Sequence, residues 1–185
     1  KNEYLPSASY SLVAQAQERG VYSFCMCPGG HIVPAGTNTE SVVVNGMSAS
    51  RRNSPYANSG IVVEIRPEDI PAEFEQYGVM KGLRFQQHVE NLAYLNNGGK
   101  GVVAPAQRLN DFVKGKLSAD LPECSYLPGT VSSPLHFWLP QIIATKLRDA
   151  FKQFNRKMPG YLTNDAIVLG VESRSSSPLR IPRDR

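Results

Sequence analysis

The feature that most constrains this chain is a change of hydrophobic period part-way along it. Between residues 21 and 65, short apolar runs alternate with turn residues: VYSFCMC, PGG, HIVPAG, SVVVNGM and, after the polar and basic loop SASRRNSPYANSG at 48–60, GIVVEI. Runs of this length, rich in β-branched and aromatic side chains and punctuated by Pro, Gly and Asn, predict antiparallel strands. The spacing then lengthens to three and four residues. In KGLRFQQHVENLAYLNN, Phe85, Val89, Leu92 and Leu95 form one helical stripe, which Gly98 and Gly99 end. In LPQIIATKLRDAFKQFNRKMPG, Leu139, Ile142, Ile143, Leu147, Ala150, Phe151, Phe154 and Met158 share a face, Lys146, Arg148, Lys152 and Arg156 point elsewhere, and Pro159-Gly160 stops the helix. RLNDFVKGK predicts a short helix at most, SADLPECSYLPGTVSSP a loop, and AIVLGVES at 166–173 a buried strand. The fold class is therefore α+β, mostly antiparallel sheet with two main helices.

At 185 residues, with 41% apolar and 19% charged residues, the chain has the composition of a globular protein with a core. We expect one domain over 1–185, with 174–185 as an irregular tail. The net charge is +4, but the basic residues are scattered apart from Arg174, Arg180, Arg183 and Arg185, which argues against a nucleic-acid footprint. No apolar run approaches the ~20 residues that span a bilayer, and KNEYLPSASY carries no signal-peptide pattern, so the expectation is a soluble, cytoplasmic protein. Three cysteines, an odd number, agree with a reducing compartment.

The densest chemistry lies in CMCPGGHIVPAG, residues 25–36. A structural zinc wants four ligands, usually as C-x-x-C pairs, and here the spacing is C-x-C with only Cys124 left over, so no metal site is expected. A disulfide across two strand residues ~6.6 Å apart would be strained. Two readings stay open: a reactive thiol whose pKa is lowered by the amides of Gly29 and Gly30, or small buried thiols on the inner face of a strand with Met26 facing the other way. No nucleotide-phosphate or hydrolase signature is present. His88 reads as a partly exposed helical histidine and His136 as a packing residue. Asn45-Gly46-Met47 predicts a tight turn with positive φ. ESRSSSP, between Arg174 and Arg180, reads either as an anion-recognising segment or as a solvated terminus.

Taken in order, VYSFCMCPGGHIVPAG, VVVNGMSASRRNSPYANSGIVVEI, FQQHVENLAY, APAQRLNDF and LTNDAIVLGVESRSSSPLRIPRD resemble the uncharacterised FAD-dependent dehydrogenases, a family of NAD(P)/FAD-dependent oxidoreductases, almost end to end. The resemblance implies a flavoprotein whose FAD-binding domain is split, one half upstream and one downstream of this segment. The chain would then be the inserted substrate or cap domain, inactive alone and without bound FAD, with the FAD-binding domain of the same full-length chain and a small-molecule substrate as its partners. No nucleic acid or membrane partner is expected, and an oligomer is possible. Carried over by position, the resemblance gives Cys25 and Cys27 as catalytic. It gives Pro28, Gly29, Gly30, Asn45, Gly46, Met47, Arg174, Ser175 and Ser176 as cofactor-binding, and Arg52, Asn58, Ser59 and Gln107 as substrate-binding. Ser48, Asp165, Pro178 and Arg180 are further motif positions. CMCPGG would lie over the flavin, with Arg52 and Arg174 holding anions. The competing reading is a non-catalytic module that binds an anionic partner such as RNA through the Arg51-Arg52 loop and the basic tail.

Overall fold

The structure, a computed structural model, describes residues 11–174 together with Pro182. Its first half is built from hairpins, as the period of two requires. Strand β1 (Val13–Ala16) pairs antiparallel with β2 (Arg19–Pro28), and β2 pairs antiparallel with β5 (Ala57–Val63), giving a sheet ordered β1-β2-β5. Strands β3 (His31–Pro34) and β4 (Val44–Met47) form a second antiparallel pair. The turn between β1 and β2 holds Gln17 and Glu18 at φ 48 and 65. Two successive positive φ values suit the twist of a tight hairpin, but neither residue is the Gly or Asn that announces one, so β1 carries no sequence signal.

Two local expectations are corrected here. Asn45-Gly46-Met47 is not a turn: these residues lie in β4, with Ile32 opposite Gly46 and Val33 opposite Asn45. The two thiols of CMC do not share an inner strand face either. The β2–β5 register shifts between Phe24 and Cys27, and Cys25 sits at φ 46, so the chain bulges and alternation is lost. As a result Cys25 is exposed while Cys27 is buried.

The second half is helical, with a small mixed sheet. Helix α1 (Lys81–Leu95) buries Phe85, Val89 and Ala93, and α4 (Gln141–Lys157) buries Leu147, Ala150, Phe151 and Phe154. Phe154 is fully buried, which for such a side chain is worth about 1.5–3 kcal/mol. Phe151 packs edge-on against Phe112 and Phe154 and stacks on Tyr161. Lys146 differs from the expected solvent-facing position: it is buried and donates to Gln17 Oε1 at 2.5 Å, so α4 is clamped to the β1–β2 turn. Met158 falls just beyond the helix and is partly exposed.

Strand β6 (Ala104–Arg108) runs antiparallel to β8 (Ile167–Leu169) and parallel to β7 (Thr130–Ser132). The segment expected to be loop thus contributes β7. Ala104-Pro105-Ala106 gives no β signal because it lacks β-branched residues and carries a proline, yet all three are buried and the Pro105 carbonyl accepts the Gly170 N–H at 3.0 Å. β8 is half-buried rather than fully buried. Short helices α2 (Leu109–Lys114) and α3 (Leu135–Trp138) complete the layer. One apolar cluster joins the halves, running from Val21 and Val42 through Phe85 and Val89 to Leu135, Phe151 and Phe154. The architecture is α+β with mostly antiparallel sheets. No helix among the described residues is long and apolar enough to cross a membrane.

Candidate functional site

The CMCPGG segment is held in place through its backbone. Gly30 N–H donates to Cys27 O at 3.2 Å, Ser54 Oγ donates to Gly30 O at 2.7 Å, and Ser54 N–H donates to Gly29 O at 3.3 Å. Gly29 has φ 63, and a Cβ there would run into the carbonyl of Arg52. A Cβ on Gly30 would lie 2.5 Å from Met47 O. Both glycines are therefore demanded by close approach of backbone to backbone, between the 25–30 loop, the 52–54 loop and the end of β4.

Next to this loop is a notch with unmatched polar atoms. Cys27 pairs with Asn58 across the β2–β5 ladder. The Asn58 side chain fills the space where Gly46 lacks a Cβ, and a Cβ at 46 would also lie 3.5 Å from Cys27 Sγ. Likewise, the Glu172 carboxylate occupies the space left by Gly60, with Cδ 2.9 Å from where a Cβ would sit. Both amide atoms of Asn58, and Oε1 of Glu172, are buried with no hydrogen-bond partner among the described residues. Buried polar atoms cost about 1–3 kcal/mol each when unsatisfied, so a set of three in one place makes this notch the candidate position for a ligand.

Charge at the notch follows from burial. Desolvation raises the Glu172 carboxyl above its ordinary value. Although Cys25 is exposed, partial desolvation, then Glu172 and Cys27, also raise its thiol. This is opposite to the lowering by glycine amides on which the reactive-thiol reading depends; desolvation leads, Gly30 N–H is committed to Cys27 O, and the nearby Glu172 carboxyl opposes a thiolate. Cys27 Sγ is hydrogen-bonded to the Cys25 carbonyl at 3.4 Å.

The notch opens into a cavity of about 690 Å³, walled mostly by apolar side chains. Residues 1–175 match the family described as FAD-dependent protein, C-terminal domain-like. The chain belongs to this FAD-dependent family. It is also 40% identical, over 184 residues, to an uncharacterised protein of Clostridium beijerinckii; the match covers 97% of this chain and 34% of that relative. The chain thus spans about a third of the relative's length.

For an FAD-dependent domain, the notch has the right character. It offers glycines where backbone comes close, unpaired donors and acceptors, and two sulphurs, and among the described residues no group of three or more His, Cys, Asp or Glu converges as a metal site. The structure brings together Cys27, Pro28, Gly29, Gly30, Gly46, Met47 and Asn58, with Cys25 close enough to feel Glu172. Asn45 and Ser59 line the cavity, and so does Asp165. Arg52 is exposed at φ 45 beside Gly29.

Two other members of the expected set lie in different surroundings. Gln107 is fully buried, donating to Lys116 O at 2.6 Å and sitting 2.8 Å from His136 Nδ1. Its amide is used up inside the protein. Arg174 forms a two-pronged pair with fully buried Glu90, Nη2 to Oε2 at 2.6 Å and Nε to Oε1 at 2.9 Å, and also reaches Thr37 Oγ1. Ser175, Ser176, Pro178 and Arg180 lie outside the described residues, and Ser48 is exposed after β4. Sequence reasoning missed Glu172 and Glu90. Glu172 sits inside the GVESRSSSP motif; Glu90, off the Phe85–Val89–Leu92 stripe and preceded at helical spacing by Gln86 and Gln87, carries no sequence signal of its burial.

Proposed function

We propose that this chain is the substrate-facing cap segment of an FAD-dependent oxidoreductase, inserted between the two halves of a split dinucleotide-binding domain and inactive without them. The observation that carries the reading is the cluster of unpaired Asn58 and Glu172 atoms behind Gly46 and Gly60, beside the CMCPGG loop. A relative extending well beyond the matched region leaves room for the dinucleotide-binding part. The flavin, when bound, supplies the capacity to accept or give a hydride.

The residues of this chain do the rest. Pro28, Gly29 and Gly30, with Asn45, Gly46 and Met47, present backbone at close approach to the ring. Asn58 and Ser59 orient the substrate by hydrogen bonds. Cys25 offers a protonated sulphur at the notch, suited to hydrogen bonding or proton donation rather than to thiolate attack, and Cys27 supports it from the buried side. Glu172 holds or releases a proton at the cavity wall, where burial favours its neutral form. Arg174 takes a positioning role, since its guanidinium fixes the 172–174 segment to Glu90. The cavity walls exclude water from the reacting centre. The odd count of three cysteines fits a reducing compartment, and on this reading the intact protein works in the cytoplasm.

The test is the visible spectrum of the full-length protein beside that of this segment. Flavin bands in the first and none in the second are expected. A full-length protein that stays colourless after FAD is added back would overturn the reading. Replacing both Cys25 and Cys27 by Ser is expected to slow flavin reduction by substrate; unchanged kinetics would remove the thiols from the mechanism.

A further inference from the structure

The cavity behind the notch has a chemical character of its own. At about 690 Å³ it lies inside the roughly 300–1,000 Å³ range of small-molecule sites. Its depth is walled by side chains such as Val89, Phe85, Leu139, Ile143 and Phe151. Among the described residues no Lys, Arg or His lines it, while Glu123, Asp165 and Glu172 do. The nearby Arg174 is turned onto Glu90 and is not one of the cavity residues. An anion entering this space would lose its hydration, meet no cation, and face three carboxyl groups. Among the cavity's lining residues, the buried unpaired atoms are one donor, Asn58 Nδ2, and two acceptors, Asn58 Oδ1 and Glu172 Oε1.

We infer that this cavity binds an uncharged, mainly hydrocarbon molecule whose polar head both donates and accepts hydrogen bonds, such as an alcohol or a carboxamide, and that it rejects carboxylates and phosphates. The head pairs with the Asn58 amide and Glu172 Oε1 beside the cysteines, and the hydrocarbon body fills the space toward Phe85 and Phe151. Calling this molecule the substrate rests on the oxidoreductase reading; the binding preference rests only on the cavity. Neither Arg52 nor Arg174 lines this cavity, so neither holds an anion within it.

The experiment uses the full-length protein carrying this segment, with Nile red, a neutral dye, as the fluorescent probe. The dye is displaced in turn by dodecanamide, dodecan-1-ol, dodecanoate and lumiflavin at mildly alkaline pH. Dodecanamide and dodecan-1-ol are expected to displace it at least about tenfold more tightly than dodecanoate, a difference of about 1.4 kcal/mol. N58A is expected to weaken the amide by about tenfold. E172Q, which keeps the shape of the side chain, is expected to narrow the gap between amide and carboxylate. Equal or tighter binding of dodecanoate, or a preference unchanged in both variants, would overturn the inference. So would lumiflavin competing as well as the amide, since the cavity would then be the flavin's own pocket. The flavin absorbance of the same sample reports separately on the oxidoreductase reading. A colourless protein that still prefers the amide sinks that reading alone, and a yellow protein with no preference sinks the inference alone.

Discussion

Gly46 and Asn58 share one space: the amide of Asn58 stands where any side chain at position 46 would begin. Gly46 sits in β4 and not at a positive φ, so its identity is fixed by this crowding and not by backbone conformation. G46A is therefore expected to destabilise the protein by about 1–3 kcal/mol through overpacking. G46A/N58A should recover most of that loss, because N58A removes the atoms in conflict. Urea unfolding of the two single variants and the double variant measures the coupling; additive effects would show that the two residues do not compete.

The Arg174–Glu90 pair makes a second expectation. Burial acts to raise the Glu90 carboxyl, but hydrogen bonds from Arg174, Ser173 and Gln86 outweigh it and hold the group below its ordinary value. R174M leaves that carboxylate buried and uncompensated, at a cost of roughly 3 kcal/mol, whereas E90Q/R174M should cost less. Because the folded pKa is depressed, the stabilisation is complete above the unfolded value of about 4.3 and is lost as pH falls through the lower folded value. Unfolding free energies measured down the acid range should show this loss in the native chain and not in E90Q.

Glu172 works in the other direction. Its folded pKa is raised by desolvation, so its contribution is complete below the unfolded value of about 4.3 and fades as pH rises through the folded value. E172Q is expected to be more stable than the native chain on the alkaline side of that window and indistinguishable from it at low pH. A parallel offset across the whole range would mean that burial of the carboxyl is not the cause.

Gln107 tests the boundary between architecture and chemistry. Its amide bridges Lys116 O and His136 inside the protein. Q107A should lower stability by about 1–3 kcal/mol by stranding those partners. Flavin content and KM of the folded fraction should stay unchanged; a raised KM with normal stability would restore a substrate-binding role.

The sequence made the two long helices and the strands of residues 21–65 readable, because each buries one clear face: Phe85 and Val89 in α1, and Leu147, Ala150 and Phe154 in α4. It was silent where packing overrides local preference. β6 is built on Ala and Pro, residues that form a strand here only because their neighbours bury them. The β1–β2 hairpin turns on Gln17 and Glu18, whose positive φ values nothing in their side chains announces. The site was legible by motif but not by geometry. CMCPGG, Gly46 and Asn58 do meet, yet the bulge that separates the two thiols and the carboxyl that crowds Gly60 depend on how distant strands register.

The loop that carries the sulphurs is anchored by carbonyls, amides, glycines and the hydroxyl of Ser54, with Ser23 Oγ donating to Met26 Sδ at 3.6 Å, and not by the side chain of Cys25. Loop shape and the surface offered to a ligand are thereby assigned to different atoms. The side chain at position 25 can be exchanged, within what a residue at φ 46 tolerates, while the platform beneath it stays the same, so a substitution there alters what a ligand meets without rebuilding the loop.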